Sequence, residues 1–355
     1  MLIRYEAASG EILEIEPTRF EPLSFSDLVE DYNKKDKLYP LRIEAKSVSS
    51  SRTGFKTTSP ASVSMPTNFR EPVSIFSLVD GGWLPPPLVI PANFMVDRNV
   101  VASLEKMKQR ANHPSKTQHD WWTQFFSDFA ALINPCLYAF EGKNGKPPSF
   151  EEFCRTFELV SAEVKAHLPT ARLVEYDLIH FKAAYDIITD VSDRLERETE
   201  FLLQTLPLII HPVVEYQLEK SRFEILQRAR RLKVKTGSLV TVAVLSCLYQ
   251  RSDGSGFLAA RKLLKPKKGY SRQHAYNALS DLRAIEMFTA GLGFQRERFA
   301  LCTCDRAMAA FWSGLNVRFA RWHNERPTFS ITLTEDLFPR LDNTARQELA
   351  SELVA

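Results

Sequence analysis

Three aspartates sit in surroundings that could turn them to chemistry. Phe94-Met-Val-Asp97-Arg-Asn99-Val100 reads as the end of a short apolar strand, an acid, and the start of a helix. Leu301-Cys-Thr303-Cys-Asp305-Arg-Ala-Met308 repeats that order late in the chain. In a parallel sheet flanked by helices, the carboxyl ends of the strands gather along one edge, and ligands bind in the crevice outside it. Two carboxylates brought together there repel unless a proton or a divalent cation relieves them. Asp281 is a third candidate. In Asn277-Ala-Leu-Ser-Asp281-Leu-Arg-Ala-Ile285, Asn277 and Asp281 are four apart and share a helix face beside the apolar Leu282 and Ile285. An all-carboxylate set without His or Cys suits a hard cation such as Mg2+ or Mn2+. Asp97 or Asp305 alone reads equally well as a helix N-cap, and Asp281 alone as a solvated helix residue.

A second feature concerns partners. Leu258 to Ser280 contains Arg261, Lys262, Lys265, Lys267, Lys268 and Arg272 and no acid, with Tyr270, His274 and Tyr276 interleaved. Cations among aromatics suit a phosphate backbone with stacked bases, and the run leads directly into the segment carrying Asp281. The alternative is a solvated basic loop. The helix of Arg222, Arg228, Arg230, Arg231, Lys233 and Lys235 either widens that path or is a solvated face. Other chemistries lack their signatures. The seven histidines show no H-x-x-x-H spacing, Cys302 and Cys304 form C-x-C without a second pair, and there is no Walker A, G-x-G-x-x-G or G-x-S-x-G run.

Together, strand-Asp97-x-Asn99, Asp281 on a helix, and Thr303-x-Asp305 after a late strand resemble the PIN-like nuclease family. The resemblance implies an α/β fold with a central parallel sheet flanked by helices. It also implies cleavage of RNA, or sometimes DNA flaps, with one or two Mg2+ or Mn2+ ions held by three or four acids. Carried over, Asp97 is the first acid with Asn99 its small polar partner, Asp281 the third acid, and Asp305 the fourth with Thr303 its hydroxyl. Asn277 supports Asp281. The family's second acid is usually a Glu opening a helix; Glu141, in Pro135-Cys-Leu-Tyr-Ala-Phe-Glu141-Gly142, fills that place, with Glu175, Asp177 and Asp186 as rivals. Leu315 to Phe319 resembles the family's short final strand. Free-standing nucleases of this kind often act as toxins or in defence against phage, and some process RNA. A degenerate nucleic-acid binder and a helical scaffold whose acids are caps remain alternatives.

The elements that must position these residues follow from pattern. The chain has 355 residues, 44% hydrophobic and 25% charged, with a net charge of +3. That is ordinary globular composition, and it neither demands nor excludes nucleic acid. Residues 1–88 read as a strand-and-loop lead-in, rich in Ser, Thr and Pro and closed by Pro85-Pro-Pro87. Residues 89–325 read as the nuclease-like domain, with a helical insert over about 143–260. Residues 326–355 read as a tail. A wide apolar stripe of Trp121, Trp122, Phe125, Phe126, Phe129, Leu132 and Ile133 predicts a core helix, and Ser149 with Glu152 predicts a capping box. Five cysteines, no apolar run of signal-peptide length and no stretch of roughly 18 apolar residues suggest reduced thiols, a cytoplasmic location and no membrane partner. A homo-oligomer or a regulatory partner is left open.

Overall fold

The computed structural model describes residues 2–6, 10–30, 37–57, 60–69, 73–89, 92–103, 126, 131–142, 145–192, 194–293, 299–323 and 326–354. Trp121, Trp122, Phe125 and Phe129 lie outside these residues. Phe126 is buried edge-on against Phe94, with ring centroids 5.4 Å apart.

The N-terminal segment builds an antiparallel sheet of five strands: β1 (Ile3–Glu6), β2 (Ile12–Phe20), β3 (Leu38–Ser50), β4 (Lys56–Thr57) and β5 (Ala61–Asn68). Its spine is β3. Tyr39, Leu41, Ile43 and Ala45 are buried while Arg42, Glu44 and Lys46 face solvent, the period-two pattern of a sheet covered on one side. What covers it is the rest of the chain. Leu23 and Trp83 exchange backbone hydrogen bonds of 2.8 and 3.3 Å, and the Trp83 ring lies edge-on to Tyr39 and Phe76. Gly82 permits this approach: a Cβ there would stand 2.4 Å from the Leu23 carbonyl oxygen.

The second sheet has six strands in the order β10-β9-β8-β11-β6-β7. They are β6 (Phe76–Val79), β7 (Gly82–Leu84), β8 (Asn93–Val96), β9 (Leu132–Asn134), β10 (Arg172–Leu173) and β11 (Phe299–Thr303). The four strands from β10 to β11 are parallel, and the β6–β7 hairpin pairs antiparallel with β11. The sequence boundary at residue 88 therefore falls inside this sheet, because β6 and β7 belong to it. From β8 the chain moves one way to β9 and β10, and β11 returns on the other side of β8. The reversal lies between β8 and β11, the strands that end in Asp97 and Asp305.

The helices among the described residues include α1 (Phe25–Val29), α2 (Cys136–Phe140), α3 (Phe150–His167), α4 (Leu178–Ser192), α5 (Leu195–Thr205), α6 (Leu218–Arg231), α7 (Leu239–Leu248), α8 (Ala259–Leu264), α9 (Arg272–Gly293), α10 (Arg306–Leu315) and α11 (Asn343–Val354), with a further helical turn following Asp97. β10 interrupts the expected helical insert, and β9 falls at the end of the expected core-helix stripe, so Leu132 and Ile133 are strand residues. Pairing with the edge of β8 outweighs local helical periodicity there. The Ser149–Glu152 capping box forms at the start of α3. The last third closes with a hairpin of β12 (Arg318–His323) and β13 (Arg326–Ser330). α7 is buried nearly all round, α10 packs on the β6–β7 hairpin, and α9 packs on β11. The Trp312 indole of α10 donates to the carbonyls of Val79 and Gly82 at 2.8 and 2.9 Å. Buried side chains from Ile15 to Leu353 form one continuous core.

This shared core makes the N-terminal sheet part of the folding unit. Trp83→Ala should cost about 3–5 kcal/mol and lower the melting temperature of a single transition. A chain lacking residues 1–70 should expose the β6–β7 face and bind a hydrophobic dye. A truncated chain with the same melting temperature and no dye binding would mean that the sheet is a separate lead-in.

Candidate metal centre

Register places the first two acids. In the parallel pairing of β8 with β11, Val96 stands opposite Cys302, so Asp97 and Thr303 follow at the same level. The Asp97 N–H donates to the Cys302 carbonyl at 3.1 Å. Asp305 lies two residues further on, at the N-cap of α10, where its Oδ1 accepts the N–H groups of Ala307 and Met308 at 2.7 and 3.1 Å. Asp97 Oδ1 likewise accepts the Val100 N–H at 2.9 Å. Both aspartates are thus helix caps through one oxygen. For Asp97 the other oxygen, Oδ2, is buried with no hydrogen-bond partner among the described residues.

Capping alone does not account for Asp97. A cap contributes about 1 kcal/mol, and Asn caps as well as Asp. The Asp97 side chain is 3% exposed, and its pKa is raised to about 6, first by burial and then by the Asp305 charge, against hydrogen bonds from Thr303, Val100 and Asn99. Two pKa units correspond to roughly 3 kcal/mol. Holding an ionised carboxyl here costs more than the cap contributes.

The remaining acids arrive from two other elements. β9 lies beside β8 on the side away from β11, and the short α2 that follows it ends at Glu141, its C-cap. Gly142 then lets the chain turn sharply: a Cβ would stand 1.7 Å from the Lys146 carbonyl oxygen. The Tyr276 hydroxyl of α9 donates to that same carbonyl at 3.0 Å, tying the turn to the helix that carries Asp281. Asp281 lies in α9, the helix that packs on β11. It precedes the end of α9 by twelve residues, about 18 Å of helix rising over a five-residue strand.

Electrostatics brings the four together. The Asp281 pKa is raised well above the ordinary carboxylate range, first by burial and then by the charges of Asp305, Glu141 and Asp97, with Lys265 opposing. Burial lifts Glu141 to about 7; Arg98 opposes and Asp97 adds to the rise. The rivals do not enter this set. Glu175, Asp177 and Asp186 are exposed, and Asp177 is paired with His180.

The carboxylates feel one another's charge, yet no three His, Cys, Asp or Glu side chains among the described residues stand close enough to hold one ion. The expected convergence within a single coordination shell is absent. A divalent cation fits the site in another way. Mg2+ keeps several waters and takes one or two carboxylates together with substrate phosphates. Oxygen donors suit it, and the orphaned Asp97 Oδ2 is a position for it. Thr303 is fully buried, and its hydroxyl accepts the Asp305 N–H at 2.8 Å beside the Asp97 carboxyl. Asn99 is exposed in the first turn after Asp97. Asn277 is exposed too, and its Oδ1 accepts from Gln273 at 2.9 Å.

The basic run divides. The Arg261 guanidinium donates to the carbonyls of Ile209, at 2.9 Å, and Ile210. Arg272 is paired with Glu196 at 2.7 Å and Glu200 at 3.8 Å, and Lys262 lies over the Phe257 ring at 4.1 Å. Structural partners thus claim these three. Lys265, Lys267 and Lys268 are exposed, and Lys265, at the left-handed C-cap of α8, is the one felt by Asp281. Sequence reasoning overlooked Arg98, whose guanidinium lies 3.5 Å from Glu141 and over the Tyr138 ring. Its only signal was adjacency to Asp97. It also took Tyr276 for a base-stacking ring. Cys302, in β11, lies 3.4 Å from the Ser77 hydroxyl, and Cys304, just past the strand, lies 3.5 Å from the Ser103 hydroxyl.

No protein-family model, no curated protein and no solved structure matches the chain. The candidate site therefore rests on its own geometry.

That geometry sets a pH response. With Asp97 and Glu141 raised to about 6 and 7, the folded chain keeps protons that the unfolded chain releases above about pH 4. The folded state binds more protons between about pH 4 and 7, so stability falls as pH rises through that window. In EDTA, the gap between melting temperatures at pH 5.5 and 7.5 should be smaller in Asp97→Asn than in the wild type by roughly 1 °C. An equal gap would remove Asp97 from the cluster.

Proposed function

We propose that the chain is a PIN-like, metal-dependent nuclease that hydrolyses phosphodiester bonds, in RNA rather than DNA. One observation carries this reading. Asp97 and Glu141, which follow two parallel strands, and Asp281, on the helix packed on the sheet, have raised pKa values, with the Asp305 charge acting on Asp97 and Asp281, around a buried Asp97 oxygen that has no hydrogen-bond partner among the described residues. A divalent cation bound there supplies hydroxide near neutral pH and stabilises the leaving oxygen.

The chain's own residues have distinct tasks in this reading. Asp97 and Asp305 would hold the ion. Thr303 fixes the relation between them. Glu141 and Asp281 would hold and orient water beside it. Lys265, Lys267 and Lys268 meet the phosphates of a strand that the acids would otherwise repel. The acids act as ligands, so no covalent intermediate forms. A second reading, a catalytically degenerate nucleic-acid binder, is favoured by the Arg98 guanidinium on Glu141 and by the lack of a ligand trio.

Labelled single- and double-stranded RNA and DNA, incubated with Mn2+, Mg2+ or EDTA, separate the two. Cleavage of RNA should require the cation. Asp97→Asn and Asp305→Asn should each lower it by more than about 100-fold, with folding retained because Asn caps equally well. Lys265, Lys267 and Lys268 changed together to Glu should weaken binding and flatten its salt dependence. Metal-dependent binding without cleavage favours the degenerate reading, and full cleavage by Asp305→Asn rules out the site.

A further inference from the structure

The outer side of α6 carries an arrangement that the acid site does not use. Tyr216, in the single 3-10 turn Glu215–Gln217 leading into the helix, is 84% exposed, and Phe223 is 56% exposed. They are seven residues apart, two turns, so they lie on the same side of the helix. Lys220, Gln227 and Arg230 continue the stripe at positions four, eleven and fourteen after Tyr216, all exposed. The opposite side, with Leu218, Ile225, Leu226 and Ala229, is buried. Nothing in the packing of α6 calls for two large rings in solvent.

Charge names the partner. Residues 215–235 include seven Lys or Arg and three Glu, a net +4, while the whole chain is only +3. Several of these cations are paired: Arg222 with Glu219 at 2.8 Å, Arg228 with Glu224 at 3.7 Å and Arg230 with Glu352 at 3.7 Å. Exposed pairs of this kind are weak, and the excess positive charge remains. Lys220, between the two rings, has no ion pair among the described residues. A protein partner would favour a contiguous apolar patch, whereas here each ring is separated from the next by a polar or cationic side chain. Rings alternating with cations match a single strand, which offers a base face and a phosphate at each step. Seven residues of helix span about 10.5 Å, close to three stacking intervals of roughly 3.4 Å.

We infer that the outer face of α6, through Tyr216 and Phe223 with Lys220 and Arg230, is a stacking platform for single-stranded nucleic acid. It rests on the proposed function only in taking nucleic acid as the partner, and it does not require cleavage.

The test is fluorescence anisotropy with a labelled 12-nucleotide single-stranded RNA and a 12-base-pair duplex, in EDTA so that nothing is cut. Tyr216→Ala combined with Phe223→Ala should weaken single-strand binding by tenfold or more. Duplex affinity should stay within about twofold and the salt slope should be unchanged, because no phosphate contact is removed. Tyr216→Phe with Phe223→Trp should bind as the wild type does, and the new indole should be quenched by the single strand. Undiminished single-strand binding by the double alanine variant would overturn the proposal. So would an equal loss on the duplex, an unquenched indole at saturation, or unchanged binding with an altered oligomeric state, which would make the face a protein interface. A chain that binds in this way but never cleaves defeats the nuclease reading and leaves the platform standing.

Discussion

Carboxylates held close together repel, and taking them out of water raises that cost, because burial disfavours the charged form and weakens screening. Asp97, Glu141 and Asp281 bear both penalties at one sheet edge. A fold that needed only caps and polar edges could use Asn or Ser at these positions. The arrangement is understandable if the cluster exists to hold positive charge, and much of the surrounding architecture serves to keep its members from moving apart.

That architecture is redundant at each acid. Asp97 is fixed by the β8–β11 ladder, by its own cap and by Thr303. Asp305 is fixed by Thr303 and by two N–H groups of α10. Glu141 is fixed by a glycine turn that Tyr276 ties down from α9, the helix of Asp281. The antiparallel N-terminal sheet lies behind this. Trp83 joins it to the β6–β7 hairpin, whose β6 pairs with β11, and Arg306, next to Asp305, reaches the Val29 carbonyl at 2.6 Å. Segments far from the site in sequence therefore brace the strand that carries its fourth acid.

Legibility followed the range of the interactions. Strand-Asp-helix at 94–100 and 301–308 could be read because strand, cap and helix start are encoded within a few residues. Asp281 was legible as one of an i, i+4 pair. Glu141 came only from the family resemblance, since its place depends on β9 lying beside β8, which no local pattern encodes. The same pairing turned an apparent helical stripe at Leu132 and Ile133 into a strand. The N-terminal segment looked like loosely connected strands because its covering surface, Trp83 and the β6–β7 hairpin, is contributed by another sheet. Arg261 and Arg272 looked like phosphate contacts, but their partners, the carbonyls after α5 and the acids of α5, lie more than fifty residues away in the chain.

Four carboxylates are coupled at the site, and among the described residues the cations that oppose their shifts are Arg98, at Glu141, and Lys265, at Asp281. With all four ionised, these two positive charges leave a deficit of two. Arg98 does not close it even locally, because burial still holds Glu141 near 7 against the guanidinium. Protons could close it in acid, at the cost of the ligands' negative charge. Under the proposed function, one divalent cation would balance that deficit near neutral pH and leave Arg98 and Lys265 to face the charge of an incoming phosphate. In the proposed reading, Arg98 therefore complements the acid cluster rather than quenching it. Its position beside Asp97 in the sequence, at the first turn of the helix that Asp97 caps, follows from that shared task.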